Sequence, residues 1–508
     1  WQEMLGREDI STHDNFFSIG GDSLLSIRLC AKTIEAGLQV TLRMLYEHPT
    51  IAGLAAVCGA SQVNGIERDG VTGPVPLAPA QCFFFEFAHS NPHHYNLPGL
   101  LRVRARLEPE QWRRLAQGLA ERHDALRLRF TPLESGWAAT TASPEPDSLF
   151  QYFDLSTVEP SRRRPLIEEL AADLQHSLNI IDGPLFRLVY FDTGDEHSSR
   201  LMFLIHHLAA DGQSLWILLE DLEAGAAQLL NGGELSLPGG SSSWRRWVEA
   251  INTLAHSEEL RPDLDYWLRI CAEPPCPLPR DLAGDLNINA TASEIRLSLS
   301  REETLSLFAR AQAGSQGELQ TLLATALARA LSLWTGADRV SFDWIGHGRE
   351  PLVQNVDVSR TVGYFTDRVP ITLRLNQGGA VEQSLNSVRA QLQRLPHRGT
   401  TWGILKYLSP DPMVRQRLQK APRPEVSLNF LGPVDRLQGR ANLIELVEED
   451  CGPPRDPLQE RACPIQLFAA VQHGQFEIAC KYNETYYRSE TVQRVAGDFL
   501  YALRDLGE

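Results

Sequence analysis

The residues best equipped for chemistry form one short string, His206-His207-Leu208-Ala209-Ala210-Asp211-Gly212, at the end of the apolar run Leu201 to Ile205. Imidazole has an unperturbed pKa of about 6.5, so it exchanges protons near neutrality and suits general acid–base work. If the apolar run is a strand, adjacent side chains point to opposite faces, and only one of the two histidines can address a given cavity. Gly212 ends the string, and Asp211 is placed to turn back onto backbone or an arginine. Two other readings fit the same residues: a pair of satisfied core histidines, and a His-x3-Asp metal site. The second candidate is Ser23. Gly20-Gly21 let the backbone turn sharply and set Ser23 at a helix start, where free N–H groups and the helix dipole favour an anion such as a phosphodiester. A plain helix N-cap would use the same serine.

These residues need elements to hold them. At a length prior of about 150 residues per domain, 508 residues suit roughly three folding units. Near the N-terminus Phe16-Phe17 precede the glycine pair, and Leu24, Ile27, Ala31 and Ile34 then recur at helical spacing up to Gly37. Another helical pattern follows Pro49, with Ile51, Leu54 and Ala55 on one face. The pattern predicts a small helical-bundle domain over residues 1–60. Residues 61–74 are polar, contain glycine and lack an apolar period, as a linker does. From Val75 onward strand-like and helix-like segments alternate. Leu100 to Leu107 and Leu185 to Asp192 read as strands, and Pro109 to Ala120 and Arg164 to His176 as helices. Loop-rich stretches from Asn231 to Ser243 and from Glu273 to Ser293 divide this α/β body over residues 75–508. They predict two lobes, about residues 75–270 and 290–508, with a ligand cleft between them.

Acidic residues outnumber basic ones 64 to 48, and the net charge of −16 argues against broad nucleic-acid or anionic-membrane binding. The longest apolar stretches, such as Leu322 to Trp334 with Arg329 inside it, fall well short of the ~20 residues that span a bilayer. Eight cysteines show no CxxC pair and no recurring His/Cys spacing. Disulfide frameworks and metal sites are therefore not expected, and the thiols read as those of a reduced, cytoplasmic protein. The chain opens at Trp1 in what reads as the middle of an amphipathic helix, so a piece of a longer protein is expected.

Phe16-Phe17-Ser18-Ile19-Gly20-Gly21-Asp22-Ser23-Leu24 resembles the phosphopantetheine attachment motif of peptidyl carrier proteins of nonribosomal peptide synthetases. The resemblance implies that Ser23 is esterified by a 4'-phosphopantetheine arm whose thiol holds an amino acid or peptide. Asp22, ahead of the serine, resembles carriers that serve epimerization domains. His206 to Gly212 resembles the HHxxxDG motif of the condensation-domain superfamily, which implies a catalytic His207 with Asp211 and His206 in structural support. Further strings narrow the likeness to an epimerization domain: Pro79-Ala80-Gln81 with Phe83-Phe84-Phe85-Glu86, His93-His94-Tyr95-Asn96, Gly346-His347-Gly348-Arg349-Glu350, Arg360 to Thr366, Gly403 to Tyr407 and Asn429-Phe430-Leu431-Gly432. The fold this implies is a V-shaped pair of acetyltransferase-like lobes, with the active site in a tunnel between them.

Inverting an amino-acid centre held as a thioester requires removing the Cα proton on one face and delivering one to the other, with donors near the developing oxyanion. In epimerization domains the partner of the histidine is credited to a glutamate just before the GHGR string. That position here is Ile345, which transfers no proton. After Gly212 these domains tend to carry Val-Ser-Trp-Arg, whereas this chain has Gln213-Ser214-Leu215-Trp216, a change expected to reshape the tunnel. Three readings remain open: an epimerase using His207 with His347, Glu350, Tyr364 or water as the second acid; a platform presenting the carrier-bound amino acid to a tailoring enzyme; and different His207 chemistry on the tethered substrate. The expected partners are adjacent adenylation and condensation domains and a phosphopantetheinyl transferase, with neither nucleic acid nor membrane.

Overall fold

The computed structural model describes all residues except 6, 17–18, 20, 22–24, 27–28, 31, 34–35, 37, 41–43, 46–47, 61–71, 88, 105–106, 196–198, 238, 240, 273–275, 315–316, 376–379, 435–442, 448 and 508. Ser23, with Asp22 and Leu24, and most of the stretch read as a linker lie outside the described residues. Gly73 and Pro74, at the end of that stretch, already belong to strand Gly73–Val75, which pairs with Gly136–Thr141.

The N-terminal residues build a core of their own. Phe16, fully buried, packs with Met4, Leu25, Leu29, Val40, Leu45 and Leu54. Helix Ile51–Val57 starts where Thr50 accepts a hydrogen bond from the Gly53 N–H at 3.0 Å, satisfying one of the donors every helix start leaves free.

The rest of the chain is organised by two large mixed sheets, beside a small three-stranded one of Gly73–Val75, Gly136–Thr141 and Leu128–Leu133. The first runs in the order Ile444–Leu446, Asn96–Val103, Arg200–His206, Phe186–Asp192, Phe150–Asp154. The second runs Ala292–Ser298, Gln475–Asn483, Ile465–Gln472, Val426–Pro433, Arg339–Gly346, Asp367–Arg374. Strand Ile444–Leu446 comes late in the chain yet pairs with Asn96–Val103 of the first sheet, so a segment that follows the second sheet's middle strand stitches the two together. Arg200–His206 is buried along almost its whole length because both its faces are covered. Leu201, Phe203 and Ile205 enter the main core, while Met202 and Leu204 enter a second core with Ile167, Ala171 and Phe191.

Element boundaries differ from the expected ones for local reasons. The strand expected from Leu100 begins at Asn96, four residues earlier and through Pro98. Proline cannot donate to a ladder, but Ile444–Leu446 pairs only with Leu101 to Val103, so at Pro98 the strand has a neighbour on one side alone. The helix expected from Arg164 begins at Pro160, because proline in the first turn costs no hydrogen bond.

Strands Arg339–Gly346 and Asp367–Arg374 are joined by a long connection that folds back over the first sheet's helices. Two glycines let it do so. Gly348 has φ +65° and its Cα faces the Phe365 carbonyl, so closely that any Cβ would lie 1.8 Å from that oxygen. A Cβ on Gly363 would lie 2.0 Å from the ring of the fully buried Trp244. Gly363→Ala is therefore expected to destabilise the body by about 1–3 kcal/mol, the cost of overpacking a filled site. Thermal unfolding checks this: an unchanged midpoint would mean the Trp244 contact yields freely.

Candidate active site

Both histidines follow directly from strand Arg200–His206, and the structure separates their roles. His206 is fully buried; its Nε2 lies 2.9 Å from the Pro92 carbonyl and its Nδ1 accepts the Leu208 N–H at 3.2 Å. Both ring nitrogens are occupied, in the arrangement of a neutral imidazole protonated on Nε2. Burial pushes its pKa down to about 3. His207 turns the other way into a cavity of about 370 Å³. Its ring stacks on Tyr95 at 5.1 Å and meets Tyr364 at 4.5 Å, and its backbone N–H bonds to the Tyr95 carbonyl at 2.7 Å. Its Nδ1 is buried without a hydrogen-bond partner among the described residues. Desolvation, reinforced by the like charge of Arg455, holds its pKa down at about 4, so the imidazole is uncharged at neutrality.

Asp211 touches no ligand space. Its Oδ1 caps helix Gly212–Leu230 by accepting the Ser214 N–H (2.8 Å) and also receives the Ser214 hydroxyl (2.8 Å) and Arg349 Nη2 (3.2 Å). Its Oδ2 accepts the Phe365 N–H at 3.1 Å. Arg349 in turn donates through Nη1 to the Val358 and Thr361 carbonyls, and lies over the Phe365 ring at 3.8 Å. Ser214 Oγ also accepts from Arg349 Nη2 and from the Gly363 N–H, each at 3.0 Å. This explains why the serine alone survives in Gln213-Ser214-Leu215-Trp216: it is part of the knot. Gln213 is buried but does not line the cavity.

The second sheet gives the cavity one wall, and the strand alternation is visible in it. Ser341, Asp343 and Ile345 face inward from one strand, with Arg368, Pro370 and Thr372 from its antiparallel partner. Ile345 thus stands on the cavity wall, beside Asn429 of the adjoining parallel strand. Asp343 is paired with Arg368 at 2.9 Å, although burial raises its pKa. Strings far apart in the chain also meet: Lys406 lies 3.0 Å from Glu86, which Arg423 also pairs.

Of the side chains considered as a second acid, only Tyr364 lines the cavity. Its hydroxyl pKa is pushed well up by burial and by Tyr95, leaving a poor proton donor. His347 and Glu350 lie outside the lining, with His347 Nδ1 accepting the Arg349 N–H at 3.0 Å. Among the lining residues that escaped the sequence reading, two charged ones stand out, Arg455 and Asp367. Arg455, from the loop after strand Ile444–Leu446, stacks on Tyr95 at 4.4 Å and has no carboxylate partner among the described residues. Asp367 starts its strand directly across from Gly346. The only signal in sequence for Asp367 was a carboxylate just after the Tyr364-Phe365-Thr366 string; Arg455 had none, because a backbone bridge to Tyr95 brings it in from afar. Among the described residues no group of three His, Cys, Asp or Glu is arranged to hold a metal, and no helix is long and apolar enough to cross a membrane.

A histidine loop from one sheet and an arginine loop from another are locked together beside a shared cavity. Comparison with known proteins gives the family. The condensation-domain model matches residues 71–508, and that of the phosphopantetheine attachment site matches residues 1–58. The chain belongs to the condensation-domain family of nonribosomal peptide synthetases, preceded by a carrier domain whose prosthetic group is 4'-phosphopantetheine. It is 37% identical, along its whole length, to a part of a linear gramicidin synthase of Brevibacillus parabrevis, and 34% identical to a part of the chondramide synthase of Chondromyces crocatus. It spans only 10% and 13% of those proteins. Among solved structures it resembles the epimerization domain of the third module of tyrocidine synthetase B, with a TM-score of 0.76 and 26% identity over 87% of this chain and 97% of that one. The starter condensation domain of rhizomide synthetase shares the fold, with a TM-score of 0.63 and 16% identity over 85% and 96% of the two chains.

Two measurements test the geometry. Arg349→Met leaves Asp211 buried without its cation and is expected to cost about 3–5 kcal/mol, read as a drop in unfolding midpoint. Arg455→Met removes a like charge from beside His207, so the His207 pKa should rise from about 4 toward its ordinary value, measured by NMR titration of the imidazole. An unmoved pKa would leave burial as the sole cause.

Proposed function

We propose that this chain is a carrier–epimerization didomain that inverts the Cα of an aminoacyl or peptidyl thioester. Residues 1–60 act as carrier, and the stretch expected as a linker over 61–74 gives way at Gly73 to the first strand of the catalytic body, which runs to residue 508. The observation that carries this reading is His207: an uncharged imidazole opening into the cavity, with the cation of Arg455 beside it and no acid paired to its ring among the described residues. Ser23 is the attachment point, and the arm it bears supplies the thioester that holds the substrate and acidifies its Cα–H. The cavity suits such an arm, since Phe83, Phe87 and Leu431 offer apolar walls while Ser427, Asn429 and Gln466 offer partners for amides. His207 takes the Cα proton. Arg455 stabilises the negative charge that develops at the neighbouring carbonyl. Asp211 and His206 hold the histidine loop rather than touch the substrate.

The likeness to the tyrocidine synthetase epimerization domain supports inversion over peptide-bond formation. Ile345 favours a second reading, in which the domain has lost inversion and presents its cargo to a tailoring enzyme, because the wall position that would otherwise carry an acid is aliphatic. In either case the working partners are adenylation and condensation domains of the same assembly line and a phosphopantetheinyl transferase, in the cytoplasm.

The test loads Ser23 with an L-aminoacyl phosphopantetheine in deuterated water and follows exchange at Cα together with product chirality. Exchange with inversion is expected, falling away as pH drops through about 4 when His207 becomes charged, and lost in His207→Ala. A loaded wild type that shows no exchange would favour the platform reading. A Ser23→Ala chain that still gains the arm's mass would overturn the attachment point.

A further inference from the structure

We propose that Asp367 is the second proton-transfer residue of this domain, delivering a proton to Cα on the face opposite His207. The assignment rests on the epimerase reading and names its missing acid. In the antiparallel register Ile345 pairs with Arg368 and Gly346 with Asp367, so Asp367 starts the neighbouring strand one position along from the partner of Ile345. It lines the cavity that holds His207. Glycines leave it room: a Cβ at Gly346 would come no nearer than 3.9 Å to Asp367, and one at Gly403 would lie 3.5 Å from Oδ1. Oδ1 accepts the Arg368 N–H at 2.9 Å, while Oδ2 is buried with no hydrogen bond among the described residues. A buried oxygen without a partner is costly for a carboxylate and far less so for a carboxylic acid. Tyr364, whose ring touches His207, lies three residues earlier, and at about 3.3 Å per extended residue the two backbones are within about 10 Å.

The surroundings favour the protonated acid. Burial dominates and the charge of Glu350 pushes the same way, while the Arg368 N–H and the Thr400 side chain pull against them, leaving Asp367 at about 8. At neutrality Asp367 holds its proton and His207 does not, which is the resting state that a base and an acid on opposite faces require. In the step itself the Cα–H bond breaks as an N–H bond forms on His207, and the Asp367 O–H bond breaks as the new Cα–H bond forms on the other face. The imidazolium then returns a proton to water and the carboxylate takes one, so nothing is oxidised or reduced.

Two measurements decide it. Infrared difference spectra of the unloaded protein should show a carboxylic acid that persists at pH 7, ionises near pH 8 and is absent from Asp367→Asn; an Asp367 already ionised at pH 7 overturns the assignment. In the loaded didomain, Asp367→Asn should keep deuterium exchange at Cα through His207 but return the starting enantiomer, with inversion slowed about 100-fold or more. Asp367→Glu, which keeps an acid, should recover part of the inversion. If wild type and Asp367→Asn invert equally fast, the assignment alone fails. If the wild type shows no exchange, it falls together with the epimerase reading.

Discussion

The buried pair of Asp211 and Arg349 is the constraint on which the rest of this domain depends. The two side chains meet at 3.2 Å, 3% and 0% exposed, from elements 138 residues apart in sequence. A charge so deep is tolerable only if every neighbour is satisfied, and here almost every neighbour is. One carboxylate caps a helix, receives a serine hydroxyl and fixes the Phe365 N–H, while one guanidinium gathers two carbonyls and covers the Phe365 ring. The loop that starts at His207 and the connection that carries Tyr364 are thereby set against each other. The cavity sits beside this knot, and neither Asp211 nor Arg349 lines it.

Desolvation does the electrostatic work in the cavity, and it acts with opposite sign on the two kinds of group. Both are pushed toward their neutral forms: the imidazole of His207 down, the carboxyl of Asp367 up. A single cause therefore prepares a base and an acid at one pH. Arg455 adds the next influence on His207, and because it rests on the face of Tyr95 rather than on a carboxylate, its charge stays available to the cavity. The remaining cations on the wall are engaged, Arg368 with Asp343, Lys406 and Arg423 with Glu86, and Arg461 with the Lys481 carbonyl.

Much of the fold was readable from pattern because strands and helices leave periodic traces, and errors were local. Asn96–Val103 ran past Pro98 because one side of it lacks a partner, which no window of sequence reveals. The site was readable only where a residue is tied to its string. His206, His207 and Asp211 lie within six positions, and strand geometry sorts the histidines. His347 and Glu350, equally eligible as acids by residue type, fall outside the cavity, whereas Asp367 enters it through a cross-strand register with Gly346, far from it along the chain.

The amino-acid sequence by itself determined that a small helical domain precedes a two-part α/β body with one histidine string, because spacing and periodicity are local properties of the chain; the carrier motif was legible only through resemblance to a known family. It also determined that Ile345 cannot move a proton, since that follows from its side chain alone. Which groups share a cavity, and which form of each is stable there, only the tertiary structure decided. Proximity and burial arise from how distant segments pack, and both vanish when the chain is read one neighbourhood at a time.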